Sequence, residues 1–162
     1  MNALQPSIIC ESNTMEVQKD FKELLELFNE HNVEYMIVGA YALAYHGVPR
    51  FTGDIDIFVH STSENAQKIL SALTDFGFGS LNLSIDDFKN PDSVVQLGVP
   101  PIRIDIITSI SGVSWEEADT GKEKGMYADL PVYFLGRKQY IDNKRAIGRK
   151  KDLADLESLG EE

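Results

Sequence analysis

One cysteine, three histidines and no long apolar run exclude several classes for this 162-residue chain at once. Cys10 alone closes no internal disulfide and supports no thiolate cluster, which fits a reducing compartment. His31, His46 and His60 are scattered, without the spacing of a zinc site. The longest uncharged apolar stretch, 35–45, is too short to cross a bilayer and contains Gly39. Residues 1–12 lack the basic start and apolar block of a secretory signal, so the expected location is the cytoplasm. There is no Gly-x-Gly-x-x-Gly fingerprint, no Walker lysine loop and no internal repeat. Basic residues are scarce too. Fifteen Lys and Arg against 26 Asp and Glu leave a net charge of −11, which argues against broad electrostatic binding of nucleic acid.

What is present is acid in unusual places. Asp54 and Asp56 sit in the apolar run Thr52-Gly53-Asp54-Ile55-Asp56-Ile57-Phe58-Val59, and Asp105 sits in Ile102-Arg103-Ile104-Asp105-Ile106-Ile107. On a strand, residues i and i+2 share a face, so Asp54 and Asp56 project together while Ile55 and Ile57 point the other way. In the second run Ile102, Ile104 and Ile106 share one face, and Arg103, Asp105 and Ile107 the other. Carboxylates crowded on one face repel each other and are costly to desolvate unless a cation sits between them. If the strands are neighbours, a hard divalent cation such as Mg²⁺ satisfies them.

Periodicity supplies the frame. Residues 1–14, which include Pro6, read as an irregular arm, and residues 15–162 as a single domain. Val17, Phe21, Leu24, Leu25 and Phe28 make one stripe of an amphipathic helix over 16–31, a surface that either closes the core or meets a protein partner. A short buried strand over 35–38 ends at Gly39, and an alanine-rich helix follows over 40–46. After the Asp54/Asp56 strand, Ser61, Thr62 and Ser63 offer N-caps for a helix to about Phe76, stopped by Gly77 and Gly79. One helical turn is expected at 84–88, then two strands joined like a hairpin over 94–97 and 102–107. Ser114-Trp115-Glu116-Glu117 has capping-box spacing. A last strand runs over 131–135, and a helical tail over 136–159 is bent or broken at Gly148. The fold class is α/β, a mixed sheet flanked by helices with a C-terminal helical tail. Seven of the fifteen basic residues lie between Arg137 and Lys151, where Asp142 is the one acid. That window reads either as a focused patch for a compact polyanion or as a solvated helix face.

Three stretches, taken in order, resemble a known family. They are Val38-Gly39-Ala40-Tyr41-Ala42-Leu43 with Arg50-Phe51-Thr52-Gly53-Asp54-Ile55-Asp56; the Asp105 strand; and Asn143-Lys144-Arg145-Ala146 with Gly148-Arg149-Lys150-Lys151-Asp152-Leu153-Ala154-Asp155-Leu156. Together they resemble the minimal nucleotidyltransferases of the DNA polymerase β superfamily, in particular small bacterial proteins related to AbiEii-type toxins. The resemblance covers roughly residues 33–159. It implies a metal-dependent enzyme that moves a nucleoside monophosphate from an NTP such as ATP to a hydroxyl on a tRNA, a protein or a small molecule, with pyrophosphate released. A toxin–antitoxin or defence setting comes with it. Asp54, Asp56 and Asp105 become metal ligands and catalytic residues, holding two Mg²⁺ ions with Mn²⁺ as the alternative. Gly39 and Ala40, opening a helix, face the nucleotide phosphates. Ala40 departs from the family's Gly or Ser at that position; it keeps the backbone donor and loses a hydroxyl or glycine's clearance.

The remaining candidates carry two readings each. Arg50 and Thr52 touch nucleotide phosphate or sugar, or else form a structural turn. Lys144 and Lys151 are the expected triphosphate or acceptor contacts. His46 fits a helix-end hydrogen bond better than a catalytic base, and Asp152 and Asp155 fit local geometry better than metal. Tyr41, Tyr45 and Trp115 read as packing residues. The rival to an enzyme is a nucleotidyltransferase fold that binds nucleotide or a protein partner without turnover. A sugar-nucleotide glycosyltransferase, which also uses Asp-x-Asp, is a second rival.

Overall fold

A computed structural model describes residues 11–49, 52–79, 81–99 and 102–161. Six strands form one mixed sheet in the order β3-β4-β2-β1-β6-β5. The strands are β1 (Tyr35–Val38), β2 (Asp54–Val59), β3 (Val94–Val99), β4 (Ile102–Ile107), β5 (Glu123–Tyr127) and β6 (Leu130–Phe134). β2 runs parallel to β4 and β1 parallel to β6, while β1–β2, β3–β4 and β5–β6 are antiparallel. Among the described residues seven α-helices flank the sheet: α1 (Glu11–Glu30), α2 (Gly39–Tyr45), α3 (Ser63–Leu73), α4 (Ile85–Lys89), α5 (Trp115–Gly121), α6 (Arg137–Ile147) and α7 (Lys150–Ser158). None of them is long and apolar enough to cross a membrane.

The core follows the alternation. Ile55 and Ile57 of β2 and Ile104 and Ile106 of β4 are buried, as are all four residues of β1. Phe21, Leu24, Leu25 and Phe28 of the expected stripe on α1 are buried, while the Val17 side chain lies outside what is described, so this helix closes the core of its own chain. Ala66, Ile69, Ala72 and Leu73 of α3 and Phe88 of α4 complete the same cluster. Local caps fix the ends. Thr62 accepts from the Asn65 N–H at the start of α3, Ser84 and Asp87 form a capping box on α4, and Ser114 and Glu117 do so on α5. Trp115 anchors α5 by packing edge-on against Phe58 and flat against His60.

Two expectations need correction. α1 begins at Glu11, so residues 11–14 of the expected arm are helical; residues 1–10, with Cys10, lie outside the described residues. The sheet has one more strand than periodicity suggested, because β5 carries Glu123, Lys124 and Gly125 at an open edge, where an apolar run is not required. The tail breaks at Gly148, as expected, into two separate helices. Gly148, at φ +70°, stops α6 in a left-handed turn and lets α7 fold back.

Candidate active site

Apolar side chains align the acids. With Ile55, Ile57, Ile104 and Ile106 committed to the core, the parallel pairing of β2 with β4 is fixed, since a one-residue slip would exchange core and solvent faces. In that register Asp56 lies opposite Asp105, and Asp54 opposite Arg103. The strand-end carboxylates therefore share one patch, as the alternation requires if the strands are neighbours.

A side chain to which the sequence assigned no role in the site sits among them. Arg103 donates from Nε to Asp105 Oδ1 (3.0 Å) and from Nη2 to Asp105 Oδ2 (3.1 Å), and the same Nη2 reaches Asp54 Oδ2 at 3.1 Å. The guanidinium is thus a clamp across the two strands. The signal for it was legible: Arg103 and Asp105 alternate onto the same face. Among the described residues no guanidinium is hydrogen-bonded to Asp56 in this way. Burial, then the neighbouring Asp105, then Asp54 push its carboxyl up to about 6, and Lys144 acts in the opposite direction. Among the described residues no group of three or more His, Cys, Asp or Glu side chains is arranged as a ready-made metal cage. With Asp54 and Asp105 drawn onto a guanidinium, the trio faces an arginine.

Gly39 follows β1 directly and opens α2 beside this patch. Its φ is +68°, and a Cβ there would run into the Asp56 carboxylate. The position thus demands glycine on two grounds. Ala40 is the next residue of the same turn and is half-buried. Thr52 Oγ1 accepts from the Asp54 N–H at 3.2 Å, which is the structural-turn reading of that residue. Arg50 lies outside the described residues. The His46 ring hydrogen-bonds the Leu135 carbonyl at 2.8 Å, as a helix-end histidine should. Tyr41 is buried, and Tyr45 stacks on Phe134 with ring centroids 4.3 Å apart.

The basic tail is a different object from the patch its charge count suggested. Lys144 is nearly buried, its Nζ 3.2 Å from Asp152 and 3.8 Å from Asp155. Arg149 donates from Nε to Asp152 at 2.7 Å, and its own N–H also reaches that carboxylate. Arg149 first, with help from Lys144, holds the Asp152 carboxyl down at about 2 against its burial. Arg137 and Arg145 pair with Glu161, and Lys138 with Asp142. The acids that neutralise the window mostly come from beyond it, returned by the fold-back at Gly148. Lys151 is exposed on the first turn of α7, and no contact among the described residues joins it to the trio. Gly39, Asp54, Asp56, Arg103 and Asp105 are brought together, with Lys144 near enough to act on Asp56.

No model of a protein family matches the chain, and no curated protein matches it in sequence. Solved structures do match in fold. A candidate nucleotidyltransferase from Thermotoga maritima, TM1012, superposes with a TM-score of 0.63 at 15% identity, over 95% of this chain and 96% of that one. The antibiotic-resistance factor ANT(2'')-Ia gives 0.59 at 16% identity, over 90% and 83%. The lincosamide antibiotic adenylyltransferase LnuA, bound to lincomycin, gives 0.53 at 14% identity, over 95% and 98%. The chain has the nucleotidyltransferase fold.

Proposed function

We propose that this protein is a divalent-metal-dependent nucleotidyltransferase acting on an NTP and a hydroxyl acceptor. The observation that carries the reading is the alignment of Asp56 with Asp105 on parallel neighbours, beside Asp54 and a glycine whose missing side chain leaves Asp56 room. The residues fit a metal by the chemistry of their donors. They are hard carboxylate oxygens, and Asp56 is raised first by its burial and then by the neighbouring Asp105 and Asp54, both of which a cation would offset. Asp54, Asp56 and Asp105 would hold two Mg²⁺ ions, with Mn²⁺ as the alternative. Such ions supply neutralisation of the phosphates and of the charge that develops on the entering and leaving oxygens.

The remaining work falls to the chain itself. Gly39 and Ala40 leave open backbone beside Asp56 for the donor's phosphates. Lys144, held by Asp152 and Asp155, contributes a fixed positive charge near Asp56. Asp105 accepts the proton of the attacking hydroxyl. The acceptor class favoured here is a small hydroxylated molecule rather than tRNA. A net charge of −11 and a tail whose cations are largely paired within the chain leave little to neutralise an RNA backbone. ANT(2'')-Ia and LnuA, named for antibiotics, are consistent with that class. A toxin–antitoxin setting rests on the sequence resemblance alone.

One observation favours a second reading. Arg103 already neutralises Asp54 and Asp105, which suits a module that binds nucleotide or a partner without turnover. A single experiment separates the two. Purified protein is incubated with Mg²⁺, each α-labelled NTP in turn and a lysate split into RNA, protein and small-molecule fractions, beside Asp56→Asn. The enzyme reading expects label in the small-molecule fraction with the wild type alone. Full transfer by Asp56→Asn would sink the metal assignment, and nucleotide binding without transfer would leave the module.

A further inference from the structure

Among the described residues, Arg103 is the cation hydrogen-bonded within the acidic trio, and its position is set by the sheet. It lies two residues before Asp105 on one face of β4 and opposite Asp54 in the β2 register, so its fork spans the gap between the strands. Arginine does not give up its charge in any ordinary pH range, so the clamp opens only by displacement. It also has somewhere to go. The Arg103 side chain is 29% exposed against 11% for that of Asp105, and swinging outward disturbs none of the buried isoleucines.

We propose that Arg103 is the resident counter-ion of the trio, and that it couples metal entry to nucleotide by exchanging the carboxylates for the donor's phosphates. The proposal rests on the nucleotidyl-transfer reading. A divalent cation arriving alone must strip Asp54 and Asp105 of charge-assisted hydrogen bonds, including a two-point fork on Asp105. A cation arriving with a triphosphate meets a different balance. The guanidinium leaves one pair of oxyanions and finds another, because phosphate oxygens accept the same fork. Metal and nucleotide therefore favour each other's binding, and the coupling is reciprocal. Arg103 is a positioning residue in this account. It governs when the carboxylates are available and forms no bond with a reacting atom.

The test reads metal affinity, not turnover. Mg²⁺ is titrated calorimetrically into the wild type, Arg103→Gln and Arg103→Lys, each alone and with saturating α,β-methylene-ATP, and melting curves confirm that all three are folded. Arg103→Gln is expected to bind Mg²⁺ alone about tenfold more tightly than the wild type, the equivalent of one charge-assisted hydrogen bond at a partly exposed site. Arg103→Lys, which keeps the charge and loses the fork, should also tighten. Nucleotide should then improve Mg²⁺ binding less in either variant than in the wild type. If Arg103→Lys matches the wild type while Arg103→Gln tightens, charge alone matters and the clamp is overturned. Equal Mg²⁺ affinity in all three proteins overturns it as well while leaving the enzyme reading intact. Failure of every protein to bind Mg²⁺, with or without nucleotide, overturns both.

Discussion

Replacing Asp56 by Asn should make the metal-free protein more stable, and only above a definable pH. Burial and the nearby Asp105 and Asp54 raise the Asp56 carboxyl from 3.8 to about 6 in the folded chain. An acid whose folded value lies above its unfolded value is harder to ionise when folded. It costs nothing while both states are protonated, below about pH 4, and its cost is complete above about pH 6 to 7. Two pH units correspond to about 3 kcal/mol, and residual solvent screening brings the expectation to about 1–3 kcal/mol. The amide of Asn keeps the shape and drops the charge. Urea unfolding in EDTA should give equal stabilities at pH 4 and a gain of that size at pH 7.5, about 5 °C in melting temperature for a chain of this length. Excess Mg²⁺ should erase or reverse the gain, since only the wild type has the full donor set. Equal stability at pH 7.5, or the same gain at both pH values, would falsify the claim that charge crowding defines this patch.

Two further outcomes bear on the frame around the site. Asp152→Asn should cost about 2 kcal/mol, because it deprives a nearly buried Lys144 of its closer acid while Asp155 remains. Asp152 is held down at about 2, so its contribution is complete above about pH 4 and fades as pH falls toward 2. Acid titration of the melting temperature should accordingly be flatter in the variant, and an unchanged slope would refute the pairing. Gly39→Ala should destabilise by about 1–2 kcal/mol from its left-handed backbone alone, and should also abolish Mg²⁺-dependent nucleotide turnover by pushing the Asp56 carboxylate aside. Retained turnover would show that the glycine serves only the turn.

The acids were legible because alternation is a local property. Asp56 and Asp105 each sit between isoleucines and Asp54 precedes one, and hydrophobic sorting leaves them one face to occupy. Arg103 was visible on that face as well, but its hold on Asp54 depends on which strands become neighbours, and local pattern does not encode that. β5 escaped notice for the opposite reason. Glu123-Lys124-Gly125 has no apolar alternation, and Gly125 is small because the Tyr45 and Phe134 rings crowd it from other elements. The basic tail shows how a charge count misleads. Arg137 to Lys151 looks unbalanced along the chain, yet Glu161, Asp152 and Asp155 return through the turn at Gly148 to balance it in space.

The parallel pairing of β2 with β4 also has a kinetic consequence. Between Val59 and Ile102 the chain must place α3, α4 and β3 before these two strands can meet. Contacts closed over such separations contribute late to folding rates. The mutual repulsion of Asp56 and Asp105 is then felt only once the native sheet is nearly assembled, and earlier species on the way to it carry no such burden. A change that relieves this repulsion should leave the refolding arm of the chevron where it is and lower the unfolding arm. By this account the crowded acids shorten the lifetime of the metal-free folded molecule without slowing its formation.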